Sequence, residues 1–301
     1  MTEFQRSLLQ IPLLLLASIL LLPIFYGWQL FQRPSRTAHT ETIAPGITYR
    51  RQPLSEKRPV MMHITEINLQ QPGLEILVTP GNPTPDGTAI SARLTSQFLQ
   101  EFNLDLAVNA SYFYEFRENH PFDYYPYVGD RISPVGQAIS QGQVYSKPTG
   151  EPGWGMLCIL AQNQVKILSA HQCPAKTREA VAGNVLLLEN GQVTPAANVS
   201  DPRPYSRVGV GLDRTGKRLW VLAIDGKQPL YSEGLTLPEF AVELKKLGAD
   251  RAINLDGGGS TTLVAADLRR RPRILNAPIQ THVPMRERPV ANHLGFRING
   301  Q

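Results

Sequence analysis

TLPEFAVELKKLGADRAINLDGGGSTTLVA, residues 236–265, passes from helix to strand to glycine loop and back to strand, and its reading sets the class of the whole chain. Thr236-Leu237-Pro238-Glu239 is a capping box, in which the Thr236 hydroxyl accepts from the amide of Glu239 while Pro238 is tolerated in the first turn. Gly248 closes that helix. The chain then runs directly into an apolar strand, Arg251 to Leu255, which ends on Asp256 and three consecutive glycines before a second strand, Thr261 to Ala265. Three glycines in a row cost ordering entropy, and a tight hairpin or bulge needs only one or two. The alternative is an anion-binding nest, in which the amides of Gly257, Gly258 and Gly259 and the hydroxyls of Ser260 and Thr261 donate, while Asp256 is held at the strand end. Neither Gly-x-x-x-x-Gly-Lys nor a Gly-x-Gly-x-x-Gly opening a helix is present, so nucleotide-binding readings weaken.

Upstream of this stretch, Val60, Met62 and Ile64 alternate and Leu74 to Val78 follows a Gln-Pro-Gly turn, which predicts two strands. Ile90, Leu94, Phe98 and Phe102 recur every four residues, so the spacing predicts an amphipathic helix over 89–102 leading into a strand at Leu104 to Val108. Gln141-Gly142, Asn190-Gly191 and the loop Asp213 to Lys217 each separate two apolar runs and predict hairpins. A last strand is expected over His293 to Ile298. With no internal repeat, the pattern predicts an α+β fold: one domain, residues 59–299, with a mixed, largely antiparallel sheet and a few packed helices.

Composition agrees with a sheet-rich globular chain. Of 301 residues, 42% are hydrophobic and 18% charged, and the 25 prolines and 24 glycines favour turns and short strands over long helices. No charge interrupts the sequence between Arg6 and Arg33, and Leu8 to Phe31 is long enough to span a bilayer. Residues 1–32 therefore read as an N-terminal transmembrane anchor and 33–58 as a polar tether that adds an edge strand near Ile47 to Tyr49. Arg33 and Arg36 after the span argue by charge against export, whereas the rest of the sequence points to the periplasmic or extracellular side. Cys158 and Cys173 pair in an oxidising compartment or stand as two buried thiols. The net charge of +5 does not imply nucleic acid, because the basic residues do not interleave with aromatics and the run Arg269-Arg270-Arg271 with Arg273 falls in a loop.

Other candidates cluster at strand ends. Asn109 closes the strand that ends at Val108 and opens a segment holding Tyr112, Phe113, Tyr114, Phe116, Phe122, Tyr124, Tyr125 and Tyr127, whose ring faces suit a sugar or a core. Arg207 begins the strand Val208 to Leu212, Asp225-Gly226 ends its partner, and Arg288 and Asn292 precede the last strand. Each arginine reads as a rim ion pair or as a planar clamp on phosphate oxygens. The six histidines include no His-x-x-x-His pair, which disfavours a zinc hydrolase, and no Gly-x-Ser-x-Gly elbow is present.

Together Asn254-Leu-Asp-Gly-Gly-Gly-Ser-Thr-Thr, Ser232-Glu-Gly-Leu-Thr-Leu-Pro-Glu, Arg207-Val-Gly-Val-Gly211, Asp225-Gly226-Lys227 and Arg288-Pro-Val-Ala-Asn292 resemble the phosphodiester glycosidase family. Asn109 to Phe113 is similar to that family's Asn-Gly-Gly-x-Phe element, with Ala110 and Ser111 in place of both glycines. The resemblance implies hydrolysis of a sugar-1-phosphodiester or phosphorylated glycan at its anomeric carbon, releasing a free sugar and a phosphomonoester. It implies Asp256 as nucleophile or base, with Arg207, Arg288 and the amides of Gly257 to Gly259 on phosphate. Asn109, Asn254 and Asn292 would orient hydroxyls, Asp225 would belong to the substrate site, and Ser260 and Thr261 would bond phosphate or Asp256. Glu233 stands either as a second carboxylate or as a solvated surface group. No cofactor is required in this reading. Two alternatives remain: a non-catalytic membrane-tethered phosphoglycan-binding protein of exopolysaccharide assembly, or a metal-dependent phosphodiesterase holding a divalent ion at Asp225 and Asp256.

Overall fold

A computed structural model of the protein describes residues 23–82, 89–148, 154–198 and 202–300. The main body is a layered stack of antiparallel sheets. The largest sheet has eight strands in the order His39–Ala44, Ile47–Leu54, Val60–Asn68, Arg218–Ile224, Arg207–Leu212, Arg251–Leu255, Val185–Glu189 and Gln192–Val193. Two five-stranded sheets cover one of its faces. One runs Pro272–Ile274, Leu263–Ala266, Leu106–Asn109, His293–Ile298, Leu74–Val78, and the other is built from strands between Ala138 and Gly183.

The core lies between these layers because side chains alternate along each strand. Val208, Val210, Val221, Ala223, Ile253 and Leu255 of the large sheet meet Val108, Leu263, Leu294 and Phe296 of the second sheet and Leu157, Ile167 and Val181 of the third. The opposite face of the large sheet is covered by the helix Leu237–Leu247, which packs Phe240, Ala241 and Leu244 on Leu187, Trp220 and Leu222. A shorter helix, Thr95–Glu101, closes the outside of the second sheet with Phe98 and Leu99 against Leu77, Ala107 and Val264.

The fold is more β-rich than the α+β expectation. Every strand ladder among the described residues is antiparallel, and the one parallel contact is an isolated bridge between Ile279 and Arg286. The helix expected over 89–102 shrinks to Thr95–Glu101. Ile90 lies in the strand Ile90–Ser91 and Leu94 is an extended cap at φ −75°, ψ 151°, so only Phe98 of the four-residue series faces inward from helix. The three hairpin loops form as expected, with Asn190 and Gly191 both at positive φ. Thr236 and Glu239 complete the capping box, and Gly248 ends the helix at φ 101°. The strand expected from Thr261 begins at Leu263, since residues 258–260 form a short 3-10 turn.

The segment expected as a tether, 33–58, supplies the first two strands of the large sheet, and Ile47 and Tyr49 are fully buried in its core. Most of the expected anchor, residues 1–22, lies outside the described residues; 23–31 are helical. No helix among the described residues is long and apolar enough to cross a membrane. Cys158 and Cys173 form a disulfide across 5.8 Å between Cα atoms, on the outer face of the third sheet. The basic run is tied down by acidic neighbours: Arg270 bonds Asp105, Arg271 bonds Asp267, and Arg273 bonds Glu41 at 2.7 Å.

Candidate active site

Strand Arg251–Leu255 delivers Asp256 to the seam where the large and second sheets meet. The Asp256 amide donates to the Ala110 carbonyl (2.9 Å), and Asn109 Nδ2 donates to the Asp256 carbonyl (2.7 Å) while its Oδ1 accepts from the Thr262 amide (3.0 Å). Asn109 is therefore a clamp between two strand ends and not a ligand for sugar hydroxyls. The other two asparagines are also held by neighbouring groups. Asn254 Nδ2 reaches Asn184 Oδ1 (2.8 Å) and Tyr112 Oη (3.0 Å), and Asn292 Oδ1 accepts from the Ser111 amide (2.8 Å). All three are buried.

The glycines are required by contact on three different sides. A side chain at Gly257 would strike the Ser206 carbonyl, one at Gly258 the Tyr205 ring, and one at Gly259 the guanidinium of Arg288; Gly258 also sits at φ +61°. Their amides do not form a three-membered nest. The Gly258 amide donates to the Ser206 carbonyl at 2.9 Å, and the Gly257 amide is directed to the Asp256 carboxylate. Thr261 donates its amide to the Gly258 carbonyl (3.3 Å), and its carbonyl accepts from Asn276 (3.0 Å). The loop thus serves close approach: it lets Arg288 and Tyr205 pack against the backbone beside Asp256.

Above this floor lies a cavity of about 260 Å³ lined by Asp256, Gly257, Gly258, Arg207 and Arg288, with the rings of Tyr112, Phe113, Phe116 and Tyr205 and one further carboxylate, Glu118. A somewhat larger groove of about 350 Å³ runs along the helix Leu237–Leu247, but its Glu239 is spent on capping Thr236 and pairing Arg58. Arg288 is buried and makes one hydrogen bond through each of its three guanidinium nitrogens. Its Nε donates to Gln280 Oε1 (2.5 Å), Nη1 to Ser260 Oγ (3.2 Å) and Nη2 to Glu118 Oε2 (2.5 Å), and its guanidinium stacks 4.6 Å from the Phe116 ring. Ser260 in turn bonds the Asp256 carboxylate. The result is a chain of polar groups, Glu118, Arg288, Ser260 and Asp256, along one wall.

Burial pushes the Asp256 carboxyl up to about 6, against the opposing pull of the Ser260 hydroxyl, the Arg288 charge and the Gly257 amide. Burial, with the charge of Asp256 second, also raises the Tyr112 hydroxyl well above its usual range. Arg207 enters from the far side, its Nε donating to the Leu235 carbonyl (3.2 Å) and its guanidinium 5.5 Å from the Tyr205 ring. Lys227 stands over the same ring, with Nζ at 5.0 Å.

Two expected site residues are placed elsewhere. Asp225 is fully buried and does not line the cavity; its Oδ1 accepts from Asn276 Nδ2 (3.0 Å) and the Ala277 amide (2.9 Å), and its Oδ2 pairs with His63 Nε2 (2.8 Å), which in turn bonds Tyr49 Oη through Nδ1 (2.8 Å). The structure therefore does not bring Asp225 and Asp256 together as a divalent-ion pair. Glu233 is exposed ahead of the helix, where its amide donates to the Pro59 carbonyl (2.9 Å). The second carboxylate of the cavity is Glu118, on the hairpin Arg117–His120 and Asp123–Tyr125, and sequence reasoning missed it. Its only signal was position, an acidic residue inside the aromatic segment.

The sequence profile of the phosphodiester glycosidase family matches residues 102–297, about two thirds of the chain. Among solved structures, the catalytic domain of zebrafish N-acetylglucosamine-1-phosphodiester alpha-N-acetylglucosaminidase, auto-inhibited by its pro-peptide, superposes with a TM-score of 0.59 at 20% identity, covering 87% of each chain. A hypothetical protein from Synechocystis superposes with a TM-score of 0.55 at 16% identity, covering 87% of this chain and 64% of its own. No curated protein sequence matches the chain. Likeness at these identities speaks for the fold.

Proposed function

Because the chain belongs to the phosphodiester glycosidase family, we propose that it is a hydrolase that cleaves the glycosidic C–O bond of a sugar-1-phosphodiester, releasing a free sugar and a phosphomonoester. The observation that carries this reading is a single cavity holding a buried carboxyl, two guanidiniums and four aromatic rings. The phosphomonoester expelled from the anomeric carbon is a good leaving group and needs little help from a general acid. The demands on the protein are therefore cationic donors for the phosphate and one carboxylate beside an oxocarbenium-like carbon.

Asp256 is that carboxylate in this reading, acting as nucleophile or base. Its ionisation near pH 6 makes it available at neutral pH while keeping it basic enough to accept a proton. Arg207 and Arg288 receive the phosphate, a geometry suited to planar forks, and Ser260 fixes the orientation of Asp256. Tyr112, Phe113, Phe116 and Tyr205 offer faces to a sugar ring.

We further propose that residues 1–32 anchor the chain in a membrane, that 33–58 lead into the domain at 59–299, and that the domain faces the periplasm or the exterior, where its glycans would be found. The Cys158–Cys173 disulfide supports an oxidising compartment. The test of the activity is turnover of a sugar-1-phosphodiester by the full chain, lost in Asp256→Asn while binding is kept. Binding without turnover by both proteins would favour the non-catalytic phosphoglycan-binding alternative instead.

A further inference from the structure

The cavity contains an anion of its own where the proposed substrate anion has to go. Glu118 Oε2 lies 2.5 Å from Arg288 Nη2, and its Oε1 accepts from the Thr281 amide at 2.7 Å. The hairpin that carries Glu118 is fastened to the same wall by Arg286, which donates to the Pro121 carbonyl (2.9 Å) and stacks 4.5 Å from Tyr124. Glu118 is thus held in place from several sides and is not a loose rim charge.

We propose that Glu118 is the specificity residue that makes this cavity prefer a phosphodiester monoanion over the phosphomonoester dianion released from it. The inference rests on the hydrolase reading for its biological sense, but its electrostatics stand on the lining alone. With Asp256 ionised, the lining carries two carboxylates and two guanidiniums, so the site has no net charge to offer. A diester leaves it at one negative charge and a monoester dianion at two. Within a cavity of this size each added like charge faces Glu118 at short range, where an unscreened pair weighs far more than in bulk water. Glu118 therefore offsets much of the attraction of Arg288 for the second charge and speeds departure of the product.

The experiment titrates the full chain with dimethyl phosphate and methyl phosphate at pH 8, where the first is a monoanion and the second a dianion, and takes the ratio of the two dissociation constants. Wild type is expected to bind the dianion no more tightly than the monoanion. Glu118→Gln, which keeps an acceptor for the Thr281 amide, is expected to shift the ratio about tenfold toward methyl phosphate, while Glu118→Asp leaves it near the wild-type value. A ratio unmoved by Glu118→Gln, or moved equally by Glu118→Asp, would overturn the proposal. Should Glu118→Gln melt early, the wild-type ratio still decides: a dianion bound tenfold tighter than the monoanion contradicts the claim. Absence of turnover on a sugar-1-phosphodiester would sink the hydrolase reading and leave this ratio untouched, so the two failures are distinct.

Discussion

Asp256 sits where burial works against its charge. Its folded-state pKa is raised from 3.8 to about 6. The protonated form is therefore favoured by folding, and stability falls as pH rises from about 4 through 6, reaching a loss on the order of 3 kcal/mol above that window. Asp256→Asn removes the ionisation without changing shape. It should melt later than wild type at pH 7.5 and together with it near pH 3.5; equal melting at both would show that the carboxyl is not strained in the folded state. The same shift predicts that kcat/KM on a diester rises with pH through about 6, since the role assigned to Asp256 requires its ionised form. A profile that falls through that pH would make Asp256 an acid. At this scale the sequence was informative about which residues matter and less so about what they touch. Asp256, Arg207 and Arg288 line the cavity, whereas Asn109 ties backbone to backbone and Asn254 and Asn292 are held on neighbouring side chains and the Ser111 amide, and a lone strand-end asparagine carries no mark that separates these roles.

The glycine loop shows how one element serves two ends. Gly257 abuts the backbone of Ser206, which cannot move without shifting the strand that begins at the next residue, Arg207, whereas Gly259 abuts the end of a side chain, the guanidinium of Arg288. Gly257→Ala should therefore cost stability, about 1–3 kcal/mol as an overpacked site, while Gly259→Ala should cost less stability and raise KM by displacing Arg288. Thermal melts and steady-state kinetics on the two variants check this, and an unchanged KM in Gly259→Ala would contradict it. Element boundaries were legible where local chemistry fixes them, as in the Thr236 capping box, the Gly248 stop and the Asn190-Gly191 turn. They were not legible at 89–94, where a four-residue repeat of Ile90 and Leu94 imitates a helix although tertiary pairing with Arg131–Pro134 makes Ile90–Ser91 a strand. Nor could spacing reveal that Glu118 folds back from a hairpin onto Arg288, since that contact joins residues 170 apart.

For the whole molecule, the two strands at 39–54 make the segment after the proposed anchor part of the large sheet, so little slack separates the two. Arg33 stacks 4.4 Å from the Tyr231 ring, and Tyr231 Oη donates to the Pro34 carbonyl at 2.9 Å. The domain is thus fastened at its entry, close to the end of residues 1–32. Protease added to spheroplasts, in which a periplasmic or exterior domain is accessible, should digest the domain while leaving cytoplasmic proteins whole; full protection would overturn the assigned side. The shortage of helix was legible from the proline and glycine content and the largely antiparallel pairing from the hairpin turns, but the absence of any parallel ladder among the described residues was not, because that depends on which distant strands meet. The central claim concerns one bond. Incubating the full chain with a sugar-1-phosphodiester in water enriched in heavy oxygen shows which bond breaks: the account predicts label in the released sugar and none in the phosphomonoester, and label in the phosphate would contradict it.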